Sequence, residues 1–220
     1  MSRGDADRQR SEGGRAESTA LRRSAPPFIG LTGGIGAGKS TALAALERLG
    51  ARTVSADAVV HELYRDSAVL RGALTGRWGQ EIAPGGSVDR DLVAARVFAD
   101  PAERHWLEQQ IWPLVGERIA RFRSEGEAMT PPPRALVVET PLLFEAGMEG
   151  AYDATIAVVA GEELRAGRAA ARGHVAVDER AARQLSQAEK AGRATFVVRN
   201  DGSEAELERE LSAVLAKLRC

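Results

Sequence analysis

The feature that most limits how this chain can fold is Gly33-Gly34-Ile35-Gly36-Ala37-Gly38-Lys39-Ser40. An apolar run at 28–32 precedes it, and a run with helical apolar spacing at 40–49 follows. The octapeptide satisfies G-x-x-x-x-G-K-[ST] in full, between a strand-like and a helix-like segment, which is the context that gives the pattern meaning. Its glycines permit a tight turn and let successive backbone N–H groups approach an anion that side chains would keep away, and the helix N-terminus adds to them. Gly34, Ile35, Gly36, Ala37, Gly38, Lys39, Ser40 and Thr41 are therefore expected to hold a nucleotide's phosphates. Lys39 would reach the β- and γ-phosphates and Ser40 would offer its hydroxyl to Mg2+. A glycine-rich turn that only joins strand to helix is the plain alternative, and the loop alone leaves open whether water or a hydroxyl accepts the phosphoryl group.

The rest of the chain repeats the same alternation. Strand-like runs at 52–55, 135–139, 155–159 and 196–199 join the first at 28–32. Segments 40–49, 56–64, 162–172, 178–187 and 204–218 carry apolar residues at three- and four-residue spacing, the period of a helix with one buried face. Strands that alternate with helices predict βαβ units and a parallel sheet. The expected fold is α/β, a five-stranded parallel sheet with helices on both faces, in one domain over 28–220. With 220 residues, 44% of them hydrophobic, the chain has material for one such core with appendages. Residues 67–127 show no convincing strand and read as a mostly helical insertion, either an acceptor-binding subdomain or a structural flap, and Pro131-Pro132-Pro133 ends its last helix. Residues 1–27 mix both charges with almost nothing apolar and are expected to be a disordered extension.

Charge and cysteine usage narrow the partners. A formal net charge of −1 offers no general field for nucleic acid or an anionic membrane, so neither is expected as a partner, and a phosphorylated ligand must be held by local charge. Lysine occurs only at Lys39, Lys190 and Lys217 in a chain rich in arginine, so a lysine inside a glycine-rich loop stands out. The lone cysteine, Cys220, excludes an intrachain disulfide and suits a reducing compartment. No run of 18 apolar residues and no secretory leader is visible, so a cytoplasmic protein is expected, a monomer by default.

Beyond the loop, Ile29-Gly30-Leu31-Thr32 with Gly33 to Gly36, and Ser55-Ala56-Asp57, resemble the dephospho-CoA kinase family, a P-loop NTPase-type three-layer fold with a lid. Val88-Asp89-Arg90-Asp91-Leu92, Val97-Phe98, Leu107-Glu108, Pro113-Leu114 and Pro141-Leu142-Leu143-Phe144-Glu145-Ala146-Gly147 follow in the family's order, so the resemblance spans about 28–202. It implies transfer of the γ-phosphoryl of ATP, with Mg2+, to the ribose 3'-hydroxyl of dephospho-CoA. By the same resemblance Asp57 is the base that accepts the hydroxyl proton, at the carboxyl end of a strand where open α/β sheets place ligands. A carboxylate in the first turn of a helix is its local alternative.

Arg168 and Arg172 lie four residues apart on an expected helix and match an arginine pair in the family's lid, at about 162–188. They would neutralise charge on the transferring oxygens, unless they form, with nearby Arg165, a solvated arginine face. Thr32 matches a family position near the reacting groups, although strand-end threonines are common. Glu139 closes a strand as a Walker-B acid would and could hold the Mg2+ shell through water. Asn200 resembles the family's residue beside the adenine, or is an ordinary turn asparagine. Three departures are visible: Ser55 where the family has a carboxylate, Trp112 where it has His, and Thr195 where it has Asp. A GTP-switched binding protein is the rival from another class, but Asn200-Asp201 lacks the lysine of an N-K-x-D guanine motif.

Overall fold

A computed structural model of the protein describes residues 25–171 and 184–218. In chain order the elements are β1 (Phe28–Gly33), α1 (Lys39–Arg48), β2 (Arg52–Ser55), α2 (Ala56–Asp66), α3 (Ala68–Trp78), α4 (Arg90–Ala99), α5 (Pro101–Ala128), β3 (Leu136–Glu139), β4 (Ala154–Val159), α6 (Glu162–Ala171), α7 (Gln187–Arg193), β5 (Phe196–Arg199) and α8 (Glu204–Lys217). The strands form one parallel sheet in the order β2-β3-β1-β4-β5.

β1 is central, and all six of its residues are buried, as expected for a parallel strand covered on both faces. Side chains alternate across it. Ile29 and Leu31, with Val137 and Ile156, meet Ala42, Ala45 and Leu46 of α1 and Leu207, Leu211 and Leu215 of α8. Phe28, with Leu136 and Val138, faces the other way onto Phe122 of α5. The period of two thus divides each strand between two helical layers.

Helices α3, α4 and α5 occupy the interval between β2 and β3, and they share with α2 a separate apolar core of Val59, Leu63, Leu70, Leu74, Val93 and Leu107. Two 3-10 turns at Gln80–Ile82 and Pro84–Gly86 link α3 to α4. α8 starts with a capping box between Ser203 and Glu206, which satisfies amides that a helix leaves unpaired at its start. Thr195 bonds to the backbone of a neighbouring strand. Thr155 N donates to its Oγ1 and its own N donates to Thr155 Oγ1, both at 3.0 Å, which clasps β4 to the entrance of β5.

One boundary differs from expectation. Apolar spacing predicts a helix at 178–187, yet within its described part Gln184 to Ser186 are not helical, and Gln187 is the first residue of α7. The reason is local: Ser186 Oγ accepts Glu189 N while the Glu189 carboxylate accepts Ser186 N at 2.8 Å, a capping box that starts the helix after Ser186. The Ser186-x-x-Glu189 pattern is the sequence signal for it. Among the described residues no helix is long and apolar enough to cross a membrane.

Candidate active site

The phosphate loop leaves the carboxyl end of β1 and runs into α1, which begins at Lys39 with Gly38 in the left-handed region and no side-chain cap. Gly36 and Gly38 have φ of 76° and 94°, a backbone that L side chains adopt only at a cost. Space forbids side chains there as well. A Cβ on Gly36 would run into the carbonyl of Arg165, and one on Gly38 into the amide of Asn200.

Those two residues hold the loop from outside. Arg165 Nε donates to Ile35 O at 3.0 Å, and Asn200 Nδ2 donates to Ala37 O at 2.9 Å. A planar trans peptide points its C=O and the next N–H in opposite directions. Fixing the Ile35 and Ala37 carbonyls toward α6 and β5 therefore turns the N–H groups of Gly36 and Gly38 the other way, where an anion can use them. Arg168 Nη1 in turn donates to Asn200 O at 3.1 Å, which chains α6 to the residue that positions Ala37. A cleft of about 470 Å³, lined by Gly34, Ile35, Glu162, Arg165, Leu185 and Gln187, opens beside the loop.

Across from the loop, Glu139 ends β3 in register with both Leu31 of β1 and Ser55 of β2. Its Oε2 accepts the Ser55 hydroxyl at 2.7 Å, and its Oε1 lies 4.0 Å from Lys39 Nζ. Lys39 Nζ also donates to Gly34 O at 3.4 Å. Burial pushes the Glu139 carboxyl above the usual carboxylate range; the Ser55 hydrogen bond and the Lys39 charge oppose the rise, and the Asp57 charge adds to it. Asp57 itself sits exposed in the first turn of α2, directly after β2. The strand ends thus bring together an ammonium, a buried carboxylate and an exposed carboxylate whose charge acts on the buried one.

Ser40 and Thr41 stand in the first turn of α1. Thr32 is completely buried: its Oγ1 donates to Pro141 O at 3.3 Å and faces Lys190 Nζ at 3.5 Å, so its hydroxyl meets protein rather than open cleft. Arg172 lies outside the described residues. Trp112, in the middle of α5, is 54% exposed.

Three residues around the site are not legible in the sequence as parts of it. Arg165, by sequence one more member of an arginine-rich face, touches the loop directly. Gln187 makes both amide bonds to Ala160 at the end of β4, each 2.9 Å. Lys190 is completely buried against Glu145, with Nζ 3.0 Å from Oε1. The sequence carries one hint of that pair, a lysine in a chain that otherwise uses arginine, but nothing in it names the partner.

A profile of the dephospho-CoA kinase family matches residues 27–206. A dephospho-CoA kinase from Anaeromyxobacter dehalogenans is 38% identical over 199 residues, covering 87% of this chain and 92% of the relative. Its counterpart from Deinococcus radiodurans is 40% identical over 196 residues, covering 88% and 93%. Among solved structures, TT1252 from Thermus thermophilus superposes with a TM-score of 0.72 at 38% identity, covering 88% of this chain and 98% of that one. Dephospho-CoA kinase from Campylobacter jejuni shares the fold, with a TM-score of 0.64 at 23% identity over 87% and 96% of the two chains.

Proposed function

The chain belongs to the dephospho-CoA kinase family, and we propose that the cleft between the phosphate loop and β2 works by positioning ATP against an acceptor hydroxyl readied by Asp57. The protein phosphorylates the ribose 3'-hydroxyl of dephospho-CoA with ATP, giving coenzyme A and ADP, the last step of coenzyme A biosynthesis.

The observation that carries the site assignment is the position of Glu139, 4.0 Å from the loop's Lys39 and close enough to Asp57 to feel its charge. Phosphoryl transfer asks the protein for little covalent chemistry and much placement. In this reading the amides of Gly34 to Thr41 and the Lys39 ammonium hold the triphosphate. Asp57 accepts the proton of the 3'-hydroxyl as its oxygen attacks the γ-phosphorus in line, and ADP departs with the bridging oxygen. Arg168, and Arg172 with it, would face the charge that spreads over the transferring oxygens. Arg165 and Asn200 keep the loop carbonyls turned outward. We read Thr32 as a positioning group, because its hydroxyl is spent on Pro141 and Lys190.

Mg2+ binds best to a few hard oxygens and substrate phosphates while keeping several waters. The Ser40 hydroxyl in the first turn of α1 and the Glu139 carboxylate beside Lys39 are donors of that kind. Bound there, the ion would neutralise charge on the β- and γ-phosphates. Ser55 holds Glu139 in place for that role. A cytoplasmic site of action is supported by the single cysteine at the final position, which needs no oxidising compartment.

The test is ADP release from Mg-ATP with dephospho-CoA, AMP or pantetheine as acceptor. Turnover on dephospho-CoA alone is expected; equal rates on all three defeat the acceptor assignment. Asp57→Asn is expected to lower the single-turnover rate by roughly 10²- to 10⁴-fold with ATP affinity little changed, and a rate near wild type removes Asp57 from its role.

A further inference from the structure

A completely buried ammonium is costly unless its charge and its three protons are met. Lys190 meets this condition with groups drawn from separate parts of the chain. Its Nζ is 3.0 Å from Glu145 Oε1, donates to Pro141 O at 2.6 Å, and reaches Thr32 Oγ1 at 3.5 Å. Thr32 immediately precedes the loop's first glycine, while Pro141 and Glu145 follow shortly after Glu139 at the end of β3. Glu145 Oε1 also accepts Leu185 N at 2.8 Å, and its Oε2 is buried without a hydrogen bond among the described residues. Gln187, three residues before Lys190, ties the start of α7 to Ala160.

Stability alone does not account for this arrangement, since well-packed apolar side chains of similar volume are commonly as stable as a buried ion pair. Lys190 has no exposed surface and so does not touch substrate. What the pair does is set one distance: it ties the root of the phosphate loop at Thr32 to the 141–145 segment beside Glu139. Reactive atoms tolerate little error there, since a shift of about 1 Å costs about 10²-fold in rate.

We propose that Lys190, through Glu145, Pro141 and Thr32, is a positioning residue for phosphoryl transfer, holding the phosphate loop in register with the segment that follows Glu139. The inference rests on the kinase reading above. It predicts that removing the pair costs rate without costing the fold.

The test variant is Lys190→Met combined with Glu145→Gln. It removes both charges at similar volume, and the glutamine oxygen still accepts Leu185 N. Relative to wild type, kcat is expected to fall about 10²-fold, while Kd for a fluorescent ATP analogue stays near its original value and Tm is unchanged or higher. Lys190→Met alone is expected to lose both Tm and kcat, because it strands Glu145. A double variant that recovers kcat together with Tm overturns the proposal and leaves Lys190 a purely structural residue. Thr32→Val, which removes one acceptor without stranding a charge, provides a second measurement if the double variant does not fold: a lowered kcat at unchanged Tm supports the proposal, and an unchanged kcat overturns it. Failure of the wild-type protein to phosphorylate dephospho-CoA would instead overturn the kinase reading itself, before any variant is compared.

Discussion

Ser55 donates its hydroxyl to Glu139 Oε2 at 2.7 Å across the β2–β3 ladder, where the two residues are register partners. The relationship gives Ser55 work that its sequence position does not suggest. Its O–H donates a hydrogen bond to a buried carboxylate whose other oxygen looks toward Lys39. A second carboxylate at position 55 would repel Glu139, whereas a hydroxyl opposes the effect of burial on it.

Ser55→Ala removes that donor, so the Glu139 carboxyl rises further above its ordinary range. If ionised Glu139 is the working form, the acidic limb of the kcat/KM profile moves to higher pH. We expect roughly tenfold lower activity at the acidic end and near-wild-type activity at the alkaline end. A pH–rate profile checks this, and an unmoved acidic limb would separate Glu139 ionisation from catalysis.

Glu139→Gln separates stability from activity. A carboxyl whose folded pKa is raised contributes stability that is fully present below its unfolded pKa and is lost as pH rises through the folded value. Once pH has risen past the folded value, the wild type has lost that contribution and the glutamine variant has not. Tm of the variant is therefore expected to equal or exceed that of wild type there, with the gap closing as pH falls. Turnover with Mg-ATP is expected to drop by roughly 10- to 100-fold. Thermal melts across pH, run beside the kinetic assay, read both.

Gly36→Ala places a methyl group against the Arg165 carbonyl at a φ of 76°. The left-handed backbone alone costs an L-residue about 1–2 kcal/mol, equivalent to about 5- to 30-fold in an equilibrium constant. Nucleotide binding is expected to weaken by at least that range, as measured by calorimetric titration of Mg-ATP. Wild-type affinity would mean that α6 yields to the loop freely.

Arg168→Ala is expected to lower kcat by about 10²- to 10³-fold, the range for one lost donor to developing charge. Arg168→Lys should recover little of it, because a single ammonium does not reproduce the guanidinium fork. Arg168 also donates to the Asn200 backbone O, and the Asn200 side chain holds Ala37 O of the loop; Asn200→Ala keeps the first bond and breaks the second, and so is the control. If the Asn200 variant alone reproduces the whole loss, Arg168 acts through the loop and not on the phosphoryl group.

Local rules make the phosphate loop and the β–α alternation readable along the chain, and the starts of α7 and α8 carry an equally local Ser-x-x-Glu signal that apolar spacing alone does not read. A tight glycine turn, a period of two, a period near 3.6 and Ser-x-x-Glu all act within a few residues, so their signal is contiguous. Asp57 and Glu139 are readable as site candidates for the same reason, since each follows or ends a recognisable strand. The partners of Ser55, Lys190 and Arg165 are not, because each lies tens of residues away: 84 from Ser55 to Glu139, 130 from Arg165 to Ile35. Which polar groups meet across those separations depends on strand order, with β3 placed between β1 and β2, and on how α6 and α7 fold back over the strand ends. That choice is made when the sheet and its helices pack, and no short stretch of the chain encodes it by itself.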